Sequence, residues 1–284
     1  MPRPITWLDV FTATPLTGNQ LAVVQDADGV DEATMLAFAR ETRLSETTFV
    51  QSANEQRADY RNRIWTVRGE VPFAGHPSLG TAVAVAHARG ELRARYVQQT
   101  HAGRQPIEVE LDGERRARAS MLQEPPTFGP EAPAGEVMFV ARLLGTDADP
   151  RFPPQVVCTG LAHVIAPVRG DALERAAPER GDLRALLEPL GAVVLYLTAV
   201  DAGCATARAR GFLLGDSGIV EDPATGSAAG PLLAYLHQRV GADRLTVHQG
   251  GEIGRPSVID CSWEDDRPRV AGDVVIVAEG LVSL

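Results

Sequence analysis

Two short segments of this chain carry nearly the same pattern, and they constrain its fold more than anything else in it. His76-Pro77-Ser78-Leu79-Gly80-Thr81-Ala82 reads H-P-x-x-G-T-A, and Asp222-Pro223-Ala224-Thr225-Gly226-Ser227-Ala228 reads D-P-x-x-G-S-A. They lie about half the chain apart. Each opens a run that is apolar almost all round, from Thr81 to Ala88 in the first case and from Ala228 to Leu236 in the second. A helix apolar on every face is a buried one. Neither run approaches the ~20 residues of a membrane span. Proline suits the first helical position, where its missing N–H costs nothing, so Pro77 and Pro223 predict two helix starts. Asp222 then reads as an N-cap, its side chain accepting from the first turn. Each start presents N–H groups and the positive end of the helix dipole. Two such ends facing each other would make an anion site.

The elements around the two segments repeat as well. In the first half, strand patterns at 5–12 and 21–24 flank the turn at Thr17-Gly18-Asn19. A helix over 31–43 follows, capped by Asp31, then strands at 47–50 and 60–67 and the first buried helix, ending by Gly90. In the second half, strands at 156–158 and 163–166 flank Thr159-Gly160. A helix over 182–190, capped by Asp182, follows, then a strand at 193–197, the stretch 207–214 leading to a loop at Gly215-Asp216-Ser217-Gly218, and the second buried helix. Further strands are expected at 92–99, 107–111, 116–123, 245–248, 257–263 and 274–278, and a short helix at 137–144. The stretch 123–135, rich in Pro, Gly and Glu, marks a boundary. The expectation is an α+β fold of two similar, pseudo-duplicated domains, each a barrel-like mixed β-sheet around a central buried helix. The domains are 1–122 and 123–284, with the last strand, about 273–284, able to pack back onto the first. A doubly wound dinucleotide fold is disfavoured, because no G-x-G-x-x-G follows the first strand.

Charge and cysteine usage narrow the function classes. The 284 residues carry a net charge of −10, which argues against a general partner for nucleic acid or an anionic membrane. Three widely spaced cysteines, Cys158, Cys204 and Cys261, form neither a disulfide framework nor a zinc pattern and suit a reducing cytoplasm. The first residues lack the apolar core of a signal peptide. The six histidines are isolated from one another, so no metal is expected, and a metal-dependent hydrolase is disfavoured. No P-loop and no Ser-His-Asp spacing is present. The titratable groups near the two predicted helix starts are Glu46, His76, Glu221 and Asp222. Proton transfer on a carboxylate-bearing substrate, bound in a cleft between the two domains, is the chemistry these groups can do unaided.

Several motifs resemble one family. Thr17-Gly18-Asn19 before Leu21-Ala22-Val23-Val24, Leu44-Ser45-Glu46-Thr47, Pro72-Phe73-Ala74-Gly75-His76-Pro77, Glu221-Asp222-Pro223-Ala224-Thr225-Gly226-Ser227-Ala228 and Gly254-Arg255-Pro256-Ser257 are similar to the phenazine-biosynthesis (PhzF-like) isomerases of the diaminopimelate-epimerase superfamily. The resemblance implies a cofactor-independent isomerase acting on a small carboxylate-bearing metabolite, with dimerisation as a family-level expectation. It implies that Glu46 is the general acid/base and that His76 and Asp222 orient substrate or assist the proton. Gly75, Gly226 and Ser227 hold a substrate carboxylate at the helix ends, and Asn19 lines the same cleft. Relatives in the wider superfamily place two cysteines at the helix starts. His76 and Asp222 stand there in this chain, so a two-thiol racemase mechanism is excluded by residue type. Departures at Gln20, at Trp65-Thr66-Val67, at Ser78 and along 211–217 bear on substrate identity more than on reaction type.

Simpler roles compete at each position. A glutamate at a strand mouth is ordinarily solvated, and the family context is what singles out Glu46. Asn19 is a good turn former, and Ser227 can serve only the first turn of its helix. Arg255 and Gln249 read as structural, and His163, on a strand, as a packed core histidine. The alternative to an enzyme is a small-anion-binding protein of the same fold that has lost turnover. Intact Glu46, His76 and Asp222 favour the enzyme.

Overall fold

The computed structural model describes residues 2–201, 203–215 and 218–284. Its strands and helices run β1 (Pro2–Val10), β2 (Asn19–Val24), α1 (Glu32–Thr42), β3 (Thr47–Gln51), β4 (Tyr60–Thr66), β5 (Gly69–Val71), α2 (Gly75–Arg89), β6 (Arg93–Thr100), β7 (Gly103–Leu111) and β8 (Arg116–Leu122). They continue β9 (Thr127–Glu131), α3 (Ala134–Val140), β10 (Gln155–Cys158), β11 (Ala162–Pro167), α4 (Ala172–Arg175), α5 (Arg180–Leu190), β12 (Val194–Val200) and β13 (Thr206–Leu214). The last are β14 (Ile219–Asp222), α6 (Gly226–Val240), β15 (Arg244–Gln249), β16 (Ser257–Glu264) and β17 (Arg267–Ser283). Two compact units divide the chain: Met1–Leu122 with Ala271–Leu284, and Gln123–Val270. Asp216 and Ser217, in the loop expected before the second buried helix, lie outside the described residues.

The first unit is a closed barrel. Pairing runs β1–β2–β3–β4–β6–β7–β8–β17 and returns to β1, with β2–β3 and β4–β6 parallel and the other pairs of known direction antiparallel. The alternation that makes these strands is plain in β7 and β8: Ile107, Val109, Ala117, Ala119 and Met121 are buried, while Glu110, Arg116 and Arg118 are exposed. An eight-stranded barrel has an interior sized for side chains. A helix fits inside only if its own side chains are small, and α2 meets that demand with Gly80, Ala82, Ala84 and Ala86. It is buried from Gly75 to Ala86 and touches seven of the eight strands. A Cβ on Gly80 would lie 2.6 Å from Leu21 Cδ2 and 2.9 Å from Val10 Cγ2, so helix and wall are in contact there. Outside, α1 covers β3 and β4 through Met35, Ala39, Phe49 and Trp65. Its cap is as expected, Asp31 Oδ1 accepting from Thr34 N–H at 2.8 Å.

The second unit repeats the plan. Its sheet runs β9–β10–β11–β12–β13–β15–β16, with β11–β12 and β13–β15 parallel, matching the two parallel steps of the first unit. β16 turns into β17 through Asp265 and Asp266, both at positive φ, the backbone of a two-residue hairpin turn. β14 pairs with β13 as β5 pairs with β4. α6 packs against β10, β11, β15 and β16, and α3 and α5 close a separate apolar cluster around Leu183, Leu187, Leu195 and Phe212.

Several expectations need correction. α2 starts at Gly75 with Ala74 as its N-cap, so Pro77 is the third helical residue, not the first. The first turn tolerates this, because none of its N–H groups has a helical partner. α6 starts at Gly226, leaving Pro223 outside the helix altogether. The N-cap is Thr225, and Asp222 is the last residue of β14, held in the ladder opposite Gly211. The reading of Asp222 as a cap therefore fails. Asp182 is likewise inside α5, whose N-cap is Glu179. The helix expected at 137–144 ends at Val140, and the Pro-rich stretch after Leu122 contains β9.

The register of the internal repeat also shifts. Both buried helices have 15 residues, both start on glycine, and both end on a left-handed glycine, Gly90 and Gly241. Aligned on these ends, Pro72-Phe73-Ala74-Gly75-His76 matches Pro223-Ala224-Thr225-Gly226-Ser227. The structural counterpart of His76 is thus Ser227, and that of Asp222 is Val71, the last residue of β5.

Candidate active site

In the first unit Glu46 meets the start of α2. Arg43, at φ 55, ends α1 in the left-handed conformation, and the chain then passes through Glu46 into β3. That places Glu46 against the second residue of α2, with His76 Nε2 3.5 Å from Glu46 Oε2. The two side chains retain 7% and 19% of their accessible surface, so the pair is almost withdrawn from water. Glu46 Oε2 is buried and has no hydrogen-bond partner among the described residues. Burial pushes the Glu46 carboxyl up from its ordinary range, opposed only in part by the Ser45 hydroxyl. Gly75 is the first residue of α2, and with His76 it contributes first-turn N–H groups that no helical carbonyl serves. Asn19 is 2% exposed and opens β2, paired with Val10.

In the second unit the site residues gather at the start of α6. Gly226 and Ser227 form the first turn of the helix. Asp222 Oδ2 accepts from Thr225 Oγ1 at 2.8 Å. Glu221, next to it, is spent elsewhere: Arg210, 10% exposed at its side chain, grips it through Nε (2.9 Å) and Nη2 (2.7 Å). Arg210 also donates to the carbonyls of Leu173 and Ala176, which ties β13 and β14 to α4. Glu221 is structural.

Three polar side chains support this helix start in ways the sequence did not show, although His163 is a core histidine and Gln249 a structural residue as expected. His163 is fully buried, as a core histidine should be, but it also serves the helix start. Its Nδ1 lies 2.8 Å from the Leu161 carbonyl, which can only accept, so Nδ1 carries the proton. Nε2, 3.2 Å from Ser227 Oγ, then accepts from the serine hydroxyl. Burial drives the imidazole down to about 4, which keeps it neutral. Gln123 donates to the Gly226 carbonyl at 3.0 Å and accepts from Thr159 Oγ1 at 2.7 Å, pinning the first turn of α6. Gln249, 3% exposed, bonds Asp222, Thr225 and Tyr196. The available signal was a polar residue inside or closing an otherwise apolar strand, which a single sequence does not distinguish from a surface position.

Among the described residues, no group of three His, Cys, Asp or Glu side chains comes together as a metal site. No helix among the described residues is long and apolar enough to cross a membrane. The chemistry on offer in the first unit is that of one buried carboxyl beside one imidazole.

The family model for phenazine biosynthesis-like proteins matches residues 8–280. The chain is 35% identical over 286 residues to the trans-2,3-dihydro-3-hydroxyanthranilate isomerase of Pseudomonas aeruginosa, covering 98% of each. A solved predicted epimerase from Pseudomonas aeruginosa superposes with a TM-score of 0.86 at 36% identity, covering 99% of both chains. A probable proline racemase from Agrobacterium radiobacter shares the fold, with a TM-score of 0.66 at 13% identity over 99% of this chain and 93% of that one.

Proposed function

The chain belongs to the phenazine biosynthesis-like (PhzF) family of isomerases, and from that premise we propose that it moves a proton along a small carboxylate-bearing substrate by general acid/base catalysis, without a cofactor. The observation that carries the reading is Glu46. A carboxyl that is mostly buried, next to an imidazole, with one oxygen that has no hydrogen-bond partner among the described residues, is poised to exchange a proton with a ligand. A surface ion pair would have both oxygens solvated. The upward push on its pKa makes it a stronger base, when ionised, than an ordinary glutamate.

In the reaction, Glu46 takes a proton from one carbon of the substrate, exchanges it with solvent, and delivers a proton to another carbon. The double bond moves between them, and the formula is unchanged. His76 steadies the Glu46 carboxylate and shares the proton load. In the first unit Gly75 offers a first-turn N–H group to a carboxylate and Asn19 a polar group to its substituents; in the second, Gly226 and Ser227 offer first-turn N–H groups of the same kind and Asp222 an acceptor. Ser227 works through its backbone in this scheme, because its hydroxyl proton is already given to His163. The substrate class follows the P. aeruginosa relative: a dihydro-hydroxyanthranilate or a close analogue carrying carboxylate, amine and hydroxyl groups.

The test is isomerisation of trans-2,3-dihydro-3-hydroxyanthranilate in deuterated water, followed by NMR. Wild type is expected to incorporate one deuteron, and Glu46→Gln to lose at least about 100-fold in rate, the lower bound for general acid/base catalysis. Undiminished turnover by Glu46→Gln would end the mechanism. If wild type ignores this compound but exchanges a proton on another carboxylate, the substrate assignment falls and the mechanism stands.

A further inference from the structure

Resting on that reading of Asp222, we propose that Thr225 is a positioning residue for it, its hydroxyl proton aimed at Asp222 Oδ2 by a buried amide clamp centred on Gln249. The direction of every bond follows from groups whose role is not adjustable. The Asp222 backbone carbonyl can only accept, and it lies 2.7 Å from one end of the Gln249 amide, so that end is Nε2. The Thr225 backbone N–H can only donate, and it lies 3.1 Å from the other end, which is therefore Oε1. Tyr196 Oη, 2.9 Å from Oε1, donates to it. The second proton of Nε2 goes to Thr225 Oγ1 at 2.9 Å. Having accepted there, the single hydroxyl proton of Thr225 is left for Asp222 Oδ2 at 2.8 Å.

The clamp is built in and sealed. Tyr196, Gln249 and Thr225 are exposed by 0%, 3% and 4%, so none can exchange its partner for water without cost. The space it fills is kept open by glycine. A Cβ on Gly211, the ladder partner of Asp222, would lie 2.5 Å from Thr225 Oγ1 and 3.3 Å from Gln249 Nε2. Gly250, at φ +78, follows Gln249, and a Cβ there would lie 2.5 Å from the Pro223 carbonyl. The arrangement does two things for a carboxylate at a strand end. It selects one rotamer, and it delivers a hydrogen bond that favours the ionised form. Asp222 is thereby held as an oriented acceptor, whereas Glu46 in the other unit has a buried oxygen with no hydrogen-bond partner among the described residues.

The test compares Thr225→Val, which keeps the shape and removes the proton, with Thr225→Ser, which keeps the proton. Carboxyl 13C NMR of aspartate-labelled protein reads the ionisation of Asp222, with Asp222→Asn assigning its signal. Turnover of trans-2,3-dihydro-3-hydroxyanthranilate is followed against pH. In Thr225→Val the Asp222 midpoint is expected to rise by about 1 pH unit, the loss of one hydrogen bond to a charged group. The acid limb of kcat moves up with it, and kcat falls roughly tenfold with KM little changed. Thr225→Ser restores all three. A merely structural threonine would lower Tm and leave the midpoint and the acid limb where they were, and that result overturns the proposal. If Thr225→Val does not fold, Thr225→Ala is read in the same way. Wild-type turnover by Asp222→Asn would defeat the assignment of Asp222 to the site, while the NMR titration still decides the clamp.

Discussion

His163 and Glu46 are both pushed off their ordinary pKa by burial, and the push bears on stability with opposite sign. His163 titrates at about 4 when folded and near its ordinary 6.5 when unfolded. The unfolded chain therefore binds the extra proton as pH falls from 6.5 to 4, and folding weakens over that window. The full shift corresponds to about 3 kcal/mol. Replacing His163 with Gln is expected to flatten this acid slope in denaturant melts taken every half pH unit. A slope unchanged in the variant would mean the imidazole is solvated. Glu46 acts the other way. Its folded pKa lies above the unfolded one, so the folded state keeps a proton that the unfolded state has lost, and stability declines as pH rises from about 4.5 through the folded pKa. Glu46→Gln should therefore be more stable than wild type at neutral pH, by a margin that grows by about 1.4 kcal/mol per pH unit inside that window and vanishes at pH 4. A variant that is inactive yet more stable is the mark of a strained functional group. One that is inactive and less stable would identify Glu46 as a structural residue.

At the scale of the element, α6 shows how a helix start is fixed when no side chain caps it. Gln123 reaches across to the Gly226 carbonyl and lies over Gly230, where a Cβ would collide with its Oε1. Gly230→Ala must expel the Gln123 side chain and leave buried Thr159 without its acceptor. A loss of about 2 kcal/mol is expected, the cost of a broken buried hydrogen-bond pair with some overpacking. Gln123→Ala removes the obstacle, so the double variant should lose clearly less than the two single losses added. Simple additivity in urea melts would show that the glycine and the glutamine are not in contact. On the helix itself, sequence patterning read α2 and α6 well. Their all-round apolarity announced burial, and Gly90 marked the stop of α2. The starts were misread because proline is allowed within the first turn, where Pro77 lies, and also just ahead of a helix, where Pro223 lies, so it dates a helix start only to within a turn. That slip of a few residues matched His76 with Asp222, although their places in the fold are different.

At the scale of the molecule, one strand finishes what the first 122 residues begin. β8 and β1 are the two edges of an otherwise open sheet, and the second half of β17 pairs with both. Deleting residues 271–284 exposes those edges and opens α2 to water. The truncated chain is expected to yield, under limited proteolysis, a resistant fragment close to residues 123–270 and no resistant fragment from 2–122. Survival of both would show that the barrel closes without its last strand. The sequence by itself determined the fold class, the duplication, the two buried helices and, through its motifs, the family. These rest on local periodicity and short spacings, which a single chain displays directly. The identity of Glu46, His76 and Asp222 as candidates was legible for the same reason. Only the tertiary structure decided the register of the repeat and which polar residues support the site. Glu46 meets His76 across 30 residues of chain, His163 meets Ser227 across 64, and Gln249 reaches back to Asp222 across 27. Contacts of that separation depend on how strands pair and how a helix start seats among them, and no local propensity encodes that.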